Sequence, residues 1–178
     1  LQNCNQCHGE LRAHGDNRNN LVNCLLCHTA GAEDKNVADA ADGTPGVAID
    51  FKVMIHKIHA GYTLPSVQGV TTNPDGTRDY SATPKPYEIV GYDFSEVASP
   101  SWPAFTVAMP ADLNTSGSQE SNMRKGPVDC AKCHGDPDGD GPLAAPAQGD
   151  LAYTQPSIQA CGSCHDDWKP EYPYNSNG

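Results

Sequence analysis

The chain has 178 residues, 37% hydrophobic and only 7% aromatic, with 17 Gly and 15 Pro. That length fits one domain, two at most, and so thin an apolar supply excludes an ordinary core and predicts a loose, loop-rich chain. A formal charge of −11 excludes a nucleic-acid binder, which needs a basic patch, and no apolar run approaches the length of a membrane span.

In chain order the first feature is Cys4-Asn5-Gln6-Cys7-His8. It recurs as Cys24-Leu25-Leu26-Cys27-His28, Cys130-Ala131-Lys132-Cys133-His134 and Cys161-Gly162-Ser163-Cys164-His165, and these four copies use all eight cysteines. C-x-x-C-H is the attachment motif of c-type haem. Its thiols become thioethers on the porphyrin vinyl groups, and the adjacent imidazole is held where it can ligate the iron. Paired C-x-x-C motifs also suit four-thiolate zinc sites, but a zinc ribbon does not require His after every pair. Disulfides are the other rival, although a two-residue spacer more often marks redox or metal chemistry than a structural staple. The motifs therefore predict four covalent haems. Cys4, Cys7, Cys24, Cys27, Cys130, Cys133, Cys161 and Cys164 attach them, and His8, His28, His134 and His165 are their proximal ligands.

The haems then supply much of the missing core. The expected fold class is multihaem cytochrome c: mostly coil, short α-helices beside the attachment sites, little β, one domain over residues 1–178. Within it, residues 1–62 carry the first two motifs and a histidine-bearing helix. Residues 63–125 form a haem-free insertion, and 126–178 carry the last two motifs.

In the first part, His14 follows His8 closely and is beside Gly15, a setting for a second axial ligand. Residues 31–50 are acidic and rich in Ala and Gly, hence a surface connection. Asp50 is placed to cap a helix that Gly61 ends, with Phe51, Ile55 and Ile58 on one side. His56 and His59, three apart, are neighbours on that helix and are expected to ligate two different haems, holding them close. In the insertion, Asn73-Pro74-Asp75-Gly76 is a turn, flanked by short strands at Val70-Thr71-Thr72 and, later, Tyr87-Glu88-Ile89-Val90. Thr115-Ser116-Gly117-Ser118-Gln119 reads as an exposed loop. Asp136-Pro137-Asp138-Gly139-Asp140-Gly141 matches half of a calcium loop, but Ala147 stands where the twelfth, acidic position should be. A solvated acidic turn is the preferred reading, with calcium at Asp136, Asp138 and Asp140 as the alternative.

Seven histidines do not close the ligand count. Four belong to the motifs, which leaves His14, His56 and His59 as distal ligands for four haems. Association of identical chains cannot mend this. The remaining haem takes Met54, Met109, Met123, another group, water or a histidine from outside this sequence, although Met more often simply fills gaps. That haem is expected at Cys130/Cys133 or Cys161/Cys164.

Cys4 to Leu11, then His14-Gly15, Arg18 and Cys24 to His28, resembles the opening of a haem domain of the outer-surface decahaem cytochromes of metal-reducing bacteria, the OmcA/MtrC type. Phe51 to Gly61 is similar to their H-K-I-H helix, Val90 to Val97 to the segment before their third motif, and Ala160 to Asp167 to their fourth. The resemblance runs in order through nearly the whole chain. It implies a pentahaem domain, bis-histidine ligation and electron delivery to extracellular acceptors such as metal oxides, soluble metals or flavins. Two departures stand out: residues 101–125 look like an insertion, and the family continues beyond the fourth motif with another histidine and a fifth C-x-x-C-H. That continuation would account for the missing ligand.

The reading is thus an electron carrier rather than a catalyst, exported to the outer surface or extracellular space, with the periplasm as the alternative. Haem attachment normally follows export, so a leader is expected to have been removed or to lie outside this sequence. The acidic charge suits cationic redox partners; like cytochrome subunits are the other expected partners. Two rivals remain. In one, the odd haem has an open site and reduces a small molecule, although the C-x-x-C-K site frequent in multihaem nitrite reductases is absent. In the other, subunits stack into a haem filament.

Overall fold

A computed structural model describes residues 1–34, 46–90, 96–99, 117–124, 130–136 and 146–172, which include every cysteine and histidine of the chain. The described chain is mostly coil with short helices and two small sheets, as composition predicts.

Each motif sits on or at the end of a short helix. The first is on α1 (Gln2–His8), which stops because Gly9 turns to φ 68°. The second is on α2 (Leu21–Cys27), where the Asn20 side chain accepts the N–H of Val22. α3 (Phe51–Ala60) is the longest helix described. Asp50 caps it by accepting the N–H of Lys52 at 2.8 Å, and Gly61 ends it at φ 54°, a conformation that costs a Cβ-bearing residue energy. A 3₁₀ turn, Gly61–Thr63, follows.

Two hairpins come next. β1 (Thr71–Thr72) pairs antiparallel with β2 (Arg78–Asp79) around the expected Asn73 turn, where Gly76 N–H donates to the Asn73 carbonyl at 2.9 Å. β3 (Tyr87–Val90) pairs antiparallel with β4 (Glu96–Ser99), Tyr87 opposite Ser99. Of the strand expected at Val70-Thr71-Thr72, β1 takes Thr71 and Thr72, and the strand expected at Tyr87–Val90 is present; their partners β2 and β4 carried no period-2 signal of their own. The remaining helices are α4 (Gly117–Met123), α5 (Ala131–His134), α6 (Leu151–Thr154) and α7 (Ile158–Cys164).

One expectation is corrected here. Gly117, Ser118 and Gln119 are not loop but the start of α4. The Gln119 side chain donates to the carbonyls of Gln68 (3.1 Å) and Tyr80 (3.0 Å). Beside it, Glu120 is buried and paired at 2.6 Å with Arg78. Gly and Ser are weak helix formers, so this helix is a product of tertiary anchoring. Thr115, Ser116 and most of residues 101–125, including Met109, lie outside the described residues, as do Asp138 and Asp140 of the acidic turn.

The apolar core is small. Ala60, Leu64 and Tyr87 form its centre, with Val47, Ile58, Val67, Ile89 and Cys164 against it. Burying a large apolar side chain contributes roughly 1.5–3 kcal/mol, so this cluster organises the meeting of α3 and α7 rather than the whole chain. α3 packs most closely on α7, and α1 packs on α5. The Asn3 amide donates to the Cys133 carbonyl at 2.9 Å. First and third motifs are thereby joined, and the fourth is joined to the histidine helix. Meanwhile Val22, Leu25 and Leu26 of α2 are exposed, apolar surface that a group attached at Cys24 and Cys27 would cover.

Candidate haem sites

A C-x-x-C-H sequence on a helix sets its two thiols three residues apart, on neighbouring positions of one face, with the imidazole just beyond. Cys7, Cys27, Cys130, Cys133 and Cys161 are exposed, Cys4, Cys24 and Cys164 half-buried, and no two of the eight are joined in a disulfide. Among the described residues no three His, Cys, Asp or Glu side chains converge, as a metal site made only of protein ligands would require.

What the fold does bring together is pairs of imidazoles. His8 and His59 have ring centres 6.0 Å apart at 89° between planes. His14 and His28 are 6.1 Å apart at 24°, and His56 and His134 are 6.1 Å apart at 23°. Every pair joins one motif histidine to one non-motif histidine. His56 and His59, one turn apart on α3, thus meet different motifs, the third and the first. The sequence could not say which histidine met which: His8 with His59 and His56 with His134 join segments far apart in the chain, and His14 meets His28 through the course of the loop between α1 and α2.

Ring orientation is fixed on one side of each pair. His59 Nδ1 is 2.8 Å from the Ile55 carbonyl, His56 Nδ1 2.6 Å from the Lys52 carbonyl and His28 Nδ1 2.8 Å from the Ile49 carbonyl. A carbonyl can only accept, so Nδ1 carries the proton and Nε2 keeps its lone pair. Metal-ligating histidines are commonly held this way. Burial lowers the pKa of His56, against a raising contribution from the Lys52 carbonyl and with His134 and His59 lowering it further. Burial lowers that of His134 too. Both favour the neutral imidazole that ligation needs.

These residues fit haem on two counts. Two rings sharing one metal, each through a nitrogen at about 2.0 Å, have centres roughly 6–6.5 Å apart, which is the spacing of all three pairs. Two imidazoles are also all that a porphyrin-held iron asks of the protein, so the lack of a larger ligand cluster is no obstacle.

His165 is the seventh histidine, and among the described residues its ring meets no other imidazole. It borders an open, apolar-lined hollow of about 260 Å³ with Cys161, Gly162 and Trp168; the Trp168 backbone N–H donates to the His165 carbonyl at 3.1 Å. The residue after it, Asp166, accepts from Lys57 Nζ at 2.6 Å and from the Ser66 N–H and hydroxyl at 2.9 and 2.6 Å. Asp167 in turn accepts from Arg78 Nε at 3.0 Å. Burial pushes the Cys164 thiol up to about 11; Lys57 pulls the other way, and Asp166 adds to the rise. None of these charged partners was legible in the motifs, since Lys57 and Asp166 are far apart in the chain.

Short helices closing on C-x-x-C-H, with imidazoles facing each other across the gaps between them, are the layout of a cytochrome. Residues 1–177 match the family model described as outer membrane cytochrome MtrC/MtrF-like, domains II/IV, and the chain belongs to that family. No curated protein and no solved structure matches it. The expected likeness to an OmcA/MtrC-type cytochrome domain is thus shown. Among the described residues no helix is long and apolar enough to cross a membrane.

Proposed function

We propose that the chain carries four c-type haems and passes electrons between them at the outer cell surface, towards metals, minerals or flavins. The observation that carries this reading is the pairing of histidines: three times over, the ring opposite a motif imidazole is a non-motif imidazole. When bound, each haem supplies a one-electron iron couple. The protein's own part is attachment, ligation and spacing. Cys4/Cys7, Cys24/Cys27, Cys130/Cys133 and Cys161/Cys164 hold the porphyrins. His8 and His59 serve the first haem, His28 and His14 the second, His134 and His56 the third, and His165 the fourth. Because His56 and His59 share one helical turn, the first and third haems are neighbours, and the contact of α7 with α3 brings the fourth to the same helix.

Quantifying haem by pyridine haemochrome and recording low-temperature electron paramagnetic resonance tests this. The expected result is four haems per chain, three of them low-spin with two imidazoles. Fewer than four haems, or zinc in their place, would overturn it.

A second reading has one observation in its favour: among the described residues the His165 ring faces no second imidazole. In it, the fourth haem binds and reduces a small molecule at its second axial position. Rapid binding of carbon monoxide by one reduced haem of the four supports that reading; no binding removes it. For the Asp136–Gly141 turn, a solvated acidic turn remains the reading preferred over calcium.

A further inference from the structure

Lys57 stands between His56 and His59 on α3, and Asp166 directly follows His165. Their charged groups are 2.6 Å apart, with the two side chains only 19% and 9% exposed. One ion pair, largely withdrawn from water, therefore connects the helix that bears two distal histidines to the residue beside the fourth motif's imidazole. Ser66 completes the setting with two hydrogen bonds to the same carboxylate.

Holding α7 in place does not require this pair. Cys164 already packs against the Ala60, Leu64 and Tyr87 cluster, and replacing a buried ion pair by apolar groups is often neutral for stability. What apolar groups cannot reproduce is the pair's field. The next carboxylate, Asp167, has its own cation in Arg78 at 3.0 Å, and Arg78 is in turn 2.6 Å from Glu120. Removing Lys57 would leave Asp166 as an unmatched negative charge beside His165. Removing the Asp166 charge would leave an unmatched ammonium between His56 and His59.

We propose that Lys57 and Asp166 are positioning residues that set the reduction potential of the fourth haem, and of its neighbours on α3, by keeping their two charges matched. The inference rests on the four-haem reading above. Oxidised iron carries one more positive charge than reduced iron. A nearby negative charge therefore favours the oxidised state and lowers the potential, and a positive charge raises it, with greater effect where water is excluded.

The test is potentiometric titration, followed by visible and electron paramagnetic resonance spectra, on protein first shown by haemochrome to carry four haems. A lower haem count in the unmodified chain overturns the four-haem reading, and this one with it. With four haems present, Asp166→Asn is expected to raise the fourth haem's potential and Lys57→Gln to lower it. Lys57→Arg should leave it unchanged, and the double variant K57Q/D166N should return close to the native value. Shifts of the same sign in both single variants, or none in either, would mean a purely structural pair and overturn the proposal. Should Asp166→Asn fail to mature, Lys57→Gln against Lys57→Arg carries the same contrast.

Discussion

The His56 and His134 rings stand 6.1 Å apart and within 23° of parallel, with the His56 Nδ1 proton given to the Lys52 carbonyl of its own helix. His59, one turn on, meets His8 at 6.0 Å with the two planes at 89°, and its Nδ1 proton is given to the Ile55 carbonyl. A single helical turn thus serves two motifs. Replacing one of these histidines should therefore disturb one haem and spare the other. His56→Met is expected to raise the potential of the haem at Cys133, since methionine in place of histidine raises iron potentials, and to leave the haem at Cys7 near its native value. His59→Met should do the reverse. Titration of both variants checks the pairing, and a shift of the wrong haem would show that the ligands are exchanged.

The ring planes make a spectroscopic prediction. Axial imidazoles act on the iron orbitals through their π systems. Parallel planes single out one orbital of a pair, whereas perpendicular planes treat the two alike and leave them close in energy. The His8/His59 planes are 89° apart, those of His14/His28 24° and of His56/His134 23°. The first haem should give a strongly anisotropic low-spin signal with one large g value, the second and third ordinary rhombic signals. His59→Ala should abolish the large-g feature alone. Three rhombic signals in the native protein would show that the first pair of rings reorients when haem binds.

Much of this was legible because its physics is local. A C-x-x-C-H sequence acts over five residues, and the α3 helix is bounded by Asp50 and Gly61, whose capping needs no distant partner. The turn at Asn73 is equally local. Pairing of His14 with His28, and of His56 with His134, was not legible, because the first depends on the course of the loop between α1 and α2 and the second on the meeting of segments far apart in the chain. Helix α4 failed for a related reason. Its Gly and Ser argue for a loop, and the energy that makes it helical comes from Arg78 and from the carbonyls of Gln68 and Tyr80. Local preference lost to tertiary anchoring there.

That anchoring can be measured. Glu120 is buried and accepts from Arg78 at 2.6 Å and from Arg124 at 3.3 Å, while Arg78 also reaches Asp167 at 3.0 Å. Breaking a buried pair costs about 3–5 kcal/mol when the other charge is left without compensation, but here Arg78 keeps Asp167 at 3.0 Å. Glu120→Gln should therefore cost less, about 1–3 kcal/mol in denaturant unfolding, and leave the haem count at four. The three histidine pairs lie elsewhere, so their spectra should not change. Loss of haem in this variant would mean that α4 supports the attachment sites as well as the hairpin.

Two glycines offer a sharper contrast. A Cβ on Gly149 would stand 2.3 Å from the His134 carbonyl oxygen and 2.7 Å from Pro146 Cδ, whereas on Gly162 it would meet nothing nearer than Ile158 Cγ2 at 3.9 Å. Neither neighbour of Gly149 is a flexible side-chain tip, so backbone must move, and the nearest backbone is that of the third motif's own histidine. Gly149→Ala should cost about 1–3 kcal/mol as an overpacked site does and perturb the His134 haem first. Gly162 is inside α7, where exchange for alanine removes backbone entropy from the unfolded chain. Gly162→Ala should therefore stabilise by about 0.5–1 kcal/mol, although it falls between two attachment cysteines. Thermal unfolding of the two variants, with the spectrum of each haem followed through the transition, decides the matter. If both were equally destabilised, the close approach of residue 149 to the His134 carbonyl would not be the cause.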